Sequence, residues 1–334
     1  MNEIRLPPAD AEALVAAALE ASNTSVENAA SVARALIGAE LCGQGGHGLR
    51  RAPAYAAQAK AGKVNGRIAP EVNRIKPGTV SVDAGFGFAF PALEMAIGAL
   101  AEIAPEQGIA AAAIFRSHHA GVAGLTVEAL AERGLVALFF ANSPGAMAPW
   151  GGRRPLFGTD PIAFACPAGE DGPVVVDVSL SKVARGKVMA ASQKGEAIPE
   201  GWAFDGEGRP TADPRAALAG TMAPLGDAKG TALALMVELL AAGLTGANYG
   251  YEQTSFFDDK GPPPGTGQLL IAIEPSAFGQ GAVARFAEMA QAVAGTEGAR
   301  LPGARRRDMR RNFLRDGIPA DPKLVDEIRR IGAG

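Results

Sequence analysis

From Thr79-Val80-Ser81-Val82-Asp83 onward, short apolar runs suited to strands alternate with longer runs of helical spacing. Ile109–Phe115, Leu135–Ala141, Ile162–Cys166 and Val174–Val178 read as strands, and Pro91–Ile103 and Ala123–Glu132 as helices. A chain built this way folds as an α/β domain on a mixed or largely parallel sheet. Ahead of it, residues 9–21 and 25–41 are alanine-rich with apolar residues about 3.6 apart, and the second run opens at the capping stretch Asn23-Thr24-Ser25. Tyr55 to Ala61 continues as a third helix. Toward the end, Gln268–Ile273 returns as a strand, Gly281–Val293 as a helix, and Lys323–Ile331 as a short terminal helix.

The 334 residues can bury a large core and suggest about two domains. With 48% apolar and 20% charged residues the composition is globular. A net charge of −3 gives no electrostatic ground for nucleic acid or an anionic membrane as partner. Thr231 to Ala247, the longest apolar run, carries Glu238 at its middle and Gly243 and Gly246 near its end, so it reads as a buried core helix rather than a membrane span. Cys42 and Cys166 have no disulfide-framework or metal-binding spacing and point to a reducing compartment. The N-terminus, Met1-Asn2-Glu3-Ile4-Arg5-Leu6-Pro7-Pro8, lacks the basic-then-apolar order of a signal peptide. The expected location is the cytoplasm. Asn248 to Gly267, aromatic and proline-rich, is long enough for a lid, a subunit contact or a poorly ordered loop.

All three histidines sit in two glycine-flanked segments, Gly45-Gly46-His47-Gly48-Leu49-Arg50-Arg51 and Arg116-Ser117-His118-His119. Imidazole titrates near neutral pH and is the usual proton shuttle. If a helix begins at Gly48, His47 and Arg51 share one face about a turn apart. A proton donor beside a fixed cation suits a substrate with a reducible group and a carboxylate. Taken alone, His47 could equally be a histidine bonded to backbone in a tight loop.

Gly43, Gly45 and Gly48 satisfy GxGxxG, but the dinucleotide fingerprint needs a preceding strand, and Ala30–Cys42 reads as helix. Any nicotinamide cofactor is therefore bound without a standard Rossmann turn. Metal is not expected: adjacent His118 and His119 would point to opposite faces of a strand, and no carboxylate stands at a familiar ligand spacing. Asn142-Ser143-Pro144, Gly151-Gly152, Gly158-Thr159-Asp160-Pro161, Asp177-Val178-Ser179 and Gly226-Asp227-Ala228-Lys229-Gly230 together offer the hydroxyls, amides and lysine a phosphate-bearing cofactor needs. Arg305-Arg306-Arg307 with Arg310 and Arg311 is either a solvated face or a phosphate site.

HGLRR with a tyrosine eight residues after the histidine, then SHHAGVAG, NSPGAMAPWGGRRPLFGTDPIAF, VVVDVSLSKVARGK, GEAIPEGWAFD, GDAKGTALALMVELLAAGLTGA and RLPGARR, resemble in order the malate/L-lactate dehydrogenase family of NAD(P)-dependent oxidoreductases. The resemblance covers nearly the whole chain. It implies a non-Rossmann α/β fold with a central mixed-sheet cofactor domain and a helical domain from both chain ends, assembled as a homodimer. The division it suggests is 1–75 with 285–334 for the helical domain and 76–284 for the domain that binds cofactor and substrate. Matched by position, His47 is the proton donor, Arg51 anchors the substrate carboxylate, and Tyr55, Thr159, Arg185 and Gly186 stand beside substrate. His119, Ala120, Gly121, Val122, Ala123, Asp177, Val178, Ser179, Ala228, Lys229, Gly303, Arg305 and Arg306 match cofactor-contacting stretches. Arg305-Arg306-Arg307 then suits a 2′-phosphate, so NADPH is expected ahead of NADH.

Many members of the family carry serine before the catalytic histidine, and this chain has Gly46. The imidazole is then oriented by water, backbone or a hydroxyl from elsewhere. A non-catalytic cofactor-binding protein that kept the fold is the remote alternative. The SKVARGK, GDAKG and Thr254-Ser255-Phe256-Phe257-Asp258-Asp259 stretches look like bacterial (R)-sulfolactate dehydrogenases, whereas the His118-His119 pair and GTGQLLI are shared with Δ1-piperideine/Δ1-pyrroline-2-carboxylate reductases. The reading is hydride transfer between nicotinamide and C2 of a small 2-oxo or 2-hydroxy acid of malate, lactate or sulfolactate type, with reduction of cyclic ketimine carboxylates as the alternative.

Overall fold

The computed structural model describes residues 3–169 and 172–334. Met1 and Asn2, where the N-terminal run begins, lie outside the described residues. The alanine-rich opening forms two helices, Pro8–Glu20 and Val26–Leu41, the second capped by Ser25, whose Oγ accepts from the Asn28 amide at 3.2 Å. The next helix begins at Ala52, not Gly48, and stops where Gly62 takes the left-handed conformation at φ 77°. His47 and Arg51 instead close two successive 3₁₀ turns, Gly45–His47 and Leu49–Arg51. The glycine at 48, with ψ −138°, breaks the helix the spacing suggested.

Seven strands form the central sheet, in the order Glu71–Lys76, Thr79–Asp83, Ile109–Ser117, Thr266–Ile273, Val136–Ala141, Ile162–Cys166 and Val174–Val178. It is mixed, but mostly antiparallel: only Thr79–Asp83 and Ile109–Ser117 run parallel as neighbours. One late strand accounts for two of the five antiparallel pairs. Ile109–Ser117 and Val136–Ala141 run the same way, joined through the Ala123–Ala131 helix, but Thr266–Ile273 fills the slot between them antiparallel to both.

Alternate residues of each strand serve different cores. Ala110, Ala112, Ile114, Leu270 and Ala272 pack under the helices Ala89–Gln107 and Ala123–Ala131, while Phe140 and Leu269 join Met147, Phe157, Leu180, Val237 and Ala241 on the opposite face. A third core draws on both chain ends, with Val15, Leu19, Leu36, Leu49 and Tyr55 packed against Ile318, Val325 and Ile328. Ile4–Leu6 and Ile318–Ala320 pair antiparallel to tie the ends together. The Glu71–Lys76 strand, on the chain-start side of residue 75, is an edge of the central sheet.

Thr231–Ala247 is not one buried helix. Ala228–Glu238 is α-helical, Leu239–Gly243 widens into a π turn, and Leu233, Leu235, Met236, Leu239 and Leu244 are exposed. The wide turn brings the Ala241 carbonyl against Gly267, at the irregularity of the late strand, where a Cβ would collide with it. No helix among the described residues is long and apolar enough to cross a membrane.

Candidate active site

The three cores meet around a cavity of about 660 Å³. His47 and Arg51 enter from the 3₁₀ turns, His119 from the loop after Ile109–Ser117, and Thr159 and Ser179 from the same end of the strand pair Ile162–Cys166 and Val174–Val178. Gly121, Val122, Ala123, Asp177, Arg185 and Gly186 complete the part of the wall that the sequence anticipated.

His47 is oriented by a second imidazole. Its Nδ1 lies 3.1 Å from His119 Nε2, and His119 Nδ1 lies 2.6 Å from the Tyr55 hydroxyl. Burial raises the Tyr55 phenol well above its ordinary value, so it keeps its proton and donates it to His119 Nδ1. With that assignment His119 donates from Nε2 to His47 Nδ1, and His47 carries its own proton on Nε2. Desolvation, seconded by the charge of Arg51, lowers His47 to about 4, and the same causes hold His119 well below its ordinary value. The pair is neutral at pH 7. The hydroxyl anticipated from elsewhere is that of Tyr55, which acts one imidazole away, through His119. A Cβ at Gly46 would meet nothing within 4 Å, so the missing serine leaves open space.

Arg51 is buried, and its Nε donates to the Gly46 carbonyl at 2.8 Å. Its Nη1 is buried without a partner among the described residues, and the Phe257 ring lies 4.4 Å from the guanidinium carbon. A cation with an unused donor at the cavity wall is an anion site. Phe257 and its neighbour Phe256, which packs on His118 and His119, come from the 248–267 segment. Buried Lys63 straps that segment down, donating to the carbonyls of Ser255 at 2.7 Å and Asp258 at 2.9 Å, while Gln58 Nε2 donates to the Phe256 carbonyl at 2.8 Å. The loop is thus a fixed wall, and the aromatic pair FF was its sequence signal. Gln44, Met189 and Leu218 also line the cavity, and no motif marked them.

Several anticipated residues stand elsewhere. Tyr55 is fully buried behind His119 and does not reach the wall, because its hydroxyl is spent on the imidazole. Ala120 faces a smaller apolar pocket of about 280 Å³ between helices. Val178 is exposed and absent from the wall, as expected of the strand neighbour of Asp177. Ala228 and Lys229 are exposed at the first two positions of the Ala228–Glu238 helix, also off the wall. Gly303 packs on the backbone of Val175.

The arginine run is neither wholly a solvated face nor a single phosphate site. It lies in a helix, Ala304–Asp316, which sends successive side chains different ways. Arg305 is exposed, Arg307 donates to the Pro173 carbonyl at 3.0 Å, and Arg310 pairs with Glu128 at 2.8 Å. Arg306 is buried beside Gly124 and Asp177, with Nη2 in an ion pair with Glu128 at 3.5 Å and Nε lacking a hydrogen-bond partner among the described residues.

The residues fit a dinucleotide. The loop after His119 runs into the Ala123–Ala131 helix, whose N-terminus has no side-chain cap and forms part of the wall. Asp177 Oδ2 accepts the Gly124 amide at 2.8 Å, and a Cβ at Gly124 would fill the space between Asp177 and Arg306. That cradle offers a carboxylate for hydroxyls and, beside it, a guanidinium whose Nε has no partner among the described residues, a donor for phosphate. His118, in contrast, is buried with both ring nitrogens unpartnered and lowered to about 3 by burial. Among the described residues no group of three or more His, Cys, Asp or Glu is placed to hold a metal ion.

Comparison with known proteins agrees with this architecture. The family model for malate/L-lactate dehydrogenase matches residues 6–329. The chain is 51% identical over 320 residues to a (2R)-3-sulfolactate dehydrogenase (NADP(+)) of Chromohalobacter salexigens, covering 96% of each. It is 40% identical over 334 residues to a Δ1-pyrroline-2-carboxylate/Δ1-piperideine-2-carboxylate reductase of Pseudomonas putida, covering 98% of this chain and 97% of the other. Among solved structures, Δ1-piperideine-2-carboxylate reductase from Pseudomonas syringae superposes with a TM-score of 0.93 at 37% identity, covering 98% of this chain and 99% of that one. The cavity, its neutral histidine pair and its buried arginine are thus those of a chain that belongs to the malate/L-lactate dehydrogenase family of oxidoreductases.

Proposed function

We propose that this protein is an NADPH-dependent reductase of small 2-oxo acids, with sulfopyruvate as the leading substrate and (2R)-3-sulfolactate as its reduced partner. One observation carries the chemistry: His47, braced through His119 by Tyr55, shares a wall with buried Arg51, whose Nη1 is unspent. The 51% identity to an NADP(+)-dependent sulfolactate dehydrogenase supplies the substrate.

Arg51 binds the carboxylate through a planar two-pronged contact that fixes C2 and its oxygen against His47. NADPH, when bound, supplies the hydride that reduces C2. For reduction His47 acts as the imidazolium: it gives its Nε2 proton to the oxygen at C2, completing the 2-hydroxy acid, and is left neutral with its remaining proton on Nδ1; in reverse that neutral imidazole takes the proton back at Nε2. Before substrate arrives, Arg51 disfavours the imidazolium. Pairing with the carboxylate offsets that charge, so substrate raises the proton affinity of its own donor. Thr159, held by Ser143 Oγ at its amide and by Ser179 Oγ at its carbonyl, and Gly186 present polar groups and open space beside the substrate. His119, Gly121 to Ala123, Asp177 and Ser179 form the cofactor's part of the wall, and Arg306, buried beside Gly124 and Asp177 off that wall, with exposed Arg305 supplies the positive charge that favours NADPH over NADH.

The exposed apolar face of 233–244 supports a homodimer formed through it, and the two free buried cysteines support work in the reducing cytoplasm. The second reading, cyclic ketimine reduction, is favoured by the 40% identity to the Pseudomonas putida reductase and uses the same His47 and Arg51. Consumption of NADPH and of NADH, followed by near-ultraviolet absorbance with sulfopyruvate, oxaloacetate, pyruvate and Δ1-piperideine-2-carboxylate, tests the choice. Sulfopyruvate with NADPH is expected to give the highest kcat/KM. Ketimine reduction about a hundredfold more efficient than every oxo acid establishes the second reading instead.

A further inference from the structure

Arg51 is not the only cation in the cavity wall. Arg185, first residue of the Arg185–Lys194 helix, is partly buried on the same cavity, and desolvation alone pushes its guanidinium down. Its Nη1 donates to the Gly145 carbonyl at 3.3 Å, and among the described residues neither arginine is paired with a carboxylate. The carbonyl that holds it is itself immobilised. The Gly145 amide donates to the Gly250 carbonyl at 2.8 Å, and a Cβ at Gly145 would press on the Pro155 carbonyl.

Against these two cations the wall sets one acidic residue, Asp177, whose Oδ2 is already taken by the Gly124 amide. The helix that begins at Arg185 has no side-chain cap, and Ala184, Gly186 and Met189 lie on the wall with it, so its positive end adds to the same field. Two desolvated guanidiniums without carboxylate partners are costly to keep in an empty site. They become favourable when a ligand brings two negative groups.

We propose that Arg185 recognises a second acidic group on the substrate, making the substrate class a 2-oxo acid with a sulfonate or carboxylate beyond C2 rather than a singly charged acid. The inference rests on the oxo-acid reading above. Arg51 takes the carboxylate next to C2, and Arg185 takes the distal acid. A sulfonate or carboxylate accepts the bidentate guanidinium contact equally in geometry, so the cavity discriminates by charge number. A cyclic imine with one carboxylate leaves Arg185 unpaired.

The test compares kcat/KM for sulfopyruvate and pyruvate, with NADPH, in wild type, Arg185→Met and Arg185→Lys, alongside NADPH affinity by fluorescence titration. We expect the sulfopyruvate-to-pyruvate efficiency ratio to fall roughly 30- to 100-fold in Arg185→Met, as loss of a charge-assisted bond should. Arg185→Lys is expected to restore part of that ratio. A loss equal on the two oxo acids, or a weakened NADPH affinity that accounts for the whole effect, overturns the role of Arg185 while leaving oxo-acid reduction standing. Wild-type reduction of Δ1-piperideine-2-carboxylate but of no oxo acid overturns the underlying reading, and the proposal with it.

Discussion

Arg51 combines two contacts and a free donor that a lysine cannot reproduce together: the Nε bond to Gly46, the stack on Phe257 and an Nη1 without a partner among the described residues. Arg51→Lys is therefore expected to raise KM for the oxo acid roughly 10- to 100-fold, with a smaller effect on kcat, since an ammonium gives no planar fork. Steady-state kinetics check this, and a KM within twofold of wild type removes Arg51 as the anchor. The histidine pair makes a prediction of its own sign. Reduction needs the imidazolium of His47, whose proton affinity in the substrate-free site corresponds to about 4. Above that value kcat/KM for reduction falls as pH rises. Oxidation needs the neutral form and levels off above it. Because bound carboxylate offsets Arg51, the break in kcat for reduction lies at higher pH than the break in kcat/KM. Coincident breaks contradict the coupling. His47 and Arg51 could be singled out from the scarcity of histidine and the order HGLRR. The Tyr55–His119–His47 chain could not, because it joins residues 64 and 72 positions apart through the packing of a helix on a strand end.

Beneath the cavity, the junction between Ala228–Glu238 and the π turn holds Glu238 inward, where it accepts from Asn142 Nδ2 at 2.9 Å and from the amides of Gly250 and Gly158. These are the turns that carry Ser143, Thr159 and Gly145 to the wall. Asp160, fully buried at φ 38°, faces Glu238, and burial followed by the charge of Glu238 raises its carboxyl well above the usual range. Asp160 is thus the protonated member of the pair, its two carboxyl oxygens buried without a hydrogen-bond partner among the described residues. The folded state keeps a proton that the unfolded chain releases above about pH 4, so this site's stability is full below that value and declines as pH rises. Asp160→Asn, permanently neutral, is expected to show little change near pH 5 and a melting temperature that gains on wild type toward pH 9. Parallel melting curves across that range contradict the retained proton.

Segments with strong alternation could be read directly: Thr79–Asp83, Ile162–Cys166 and Val174–Val178 occupy the bounds that their β-prone residues mark. Ala304–Asp316 escaped because arginines replace the apolar stripe by which a helix is recognised, and Glu71–Lys76 because an edge strand with five of its six residues exposed shows no alternation. The sheet is mixed, as the alternation allows, and antiparallel rather than largely parallel because Glu71–Lys76, Thr266–Ile273 and Ile162–Cys166 all run against their neighbours, pairings that alternation along the chain does not reveal.

The three cores converge on a single cavity, so the whole chain is needed to build it: the chain-end core supplies His47 and Arg51, and the two sheet cores supply the remaining wall. One large apolar face remains uncovered, formed by Leu233, Leu235, Met236, Leu239 and Leu244. Exposed leucines so grouped support the homodimer proposed above. A Leu233→Glu, Leu239→Glu double variant is expected to halve the mass seen by light scattering; a wild-type protein that is already monomeric rejects the homodimer. The most direct test of the account is single-turnover oxidation of bound NADPH on mixing with sulfopyruvate, in wild type and His47→Ala. The account predicts a rate lowered by about two to four decades with NADPH affinity unchanged. A variant that keeps more than half of the wild-type rate would show that the proton comes from elsewhere.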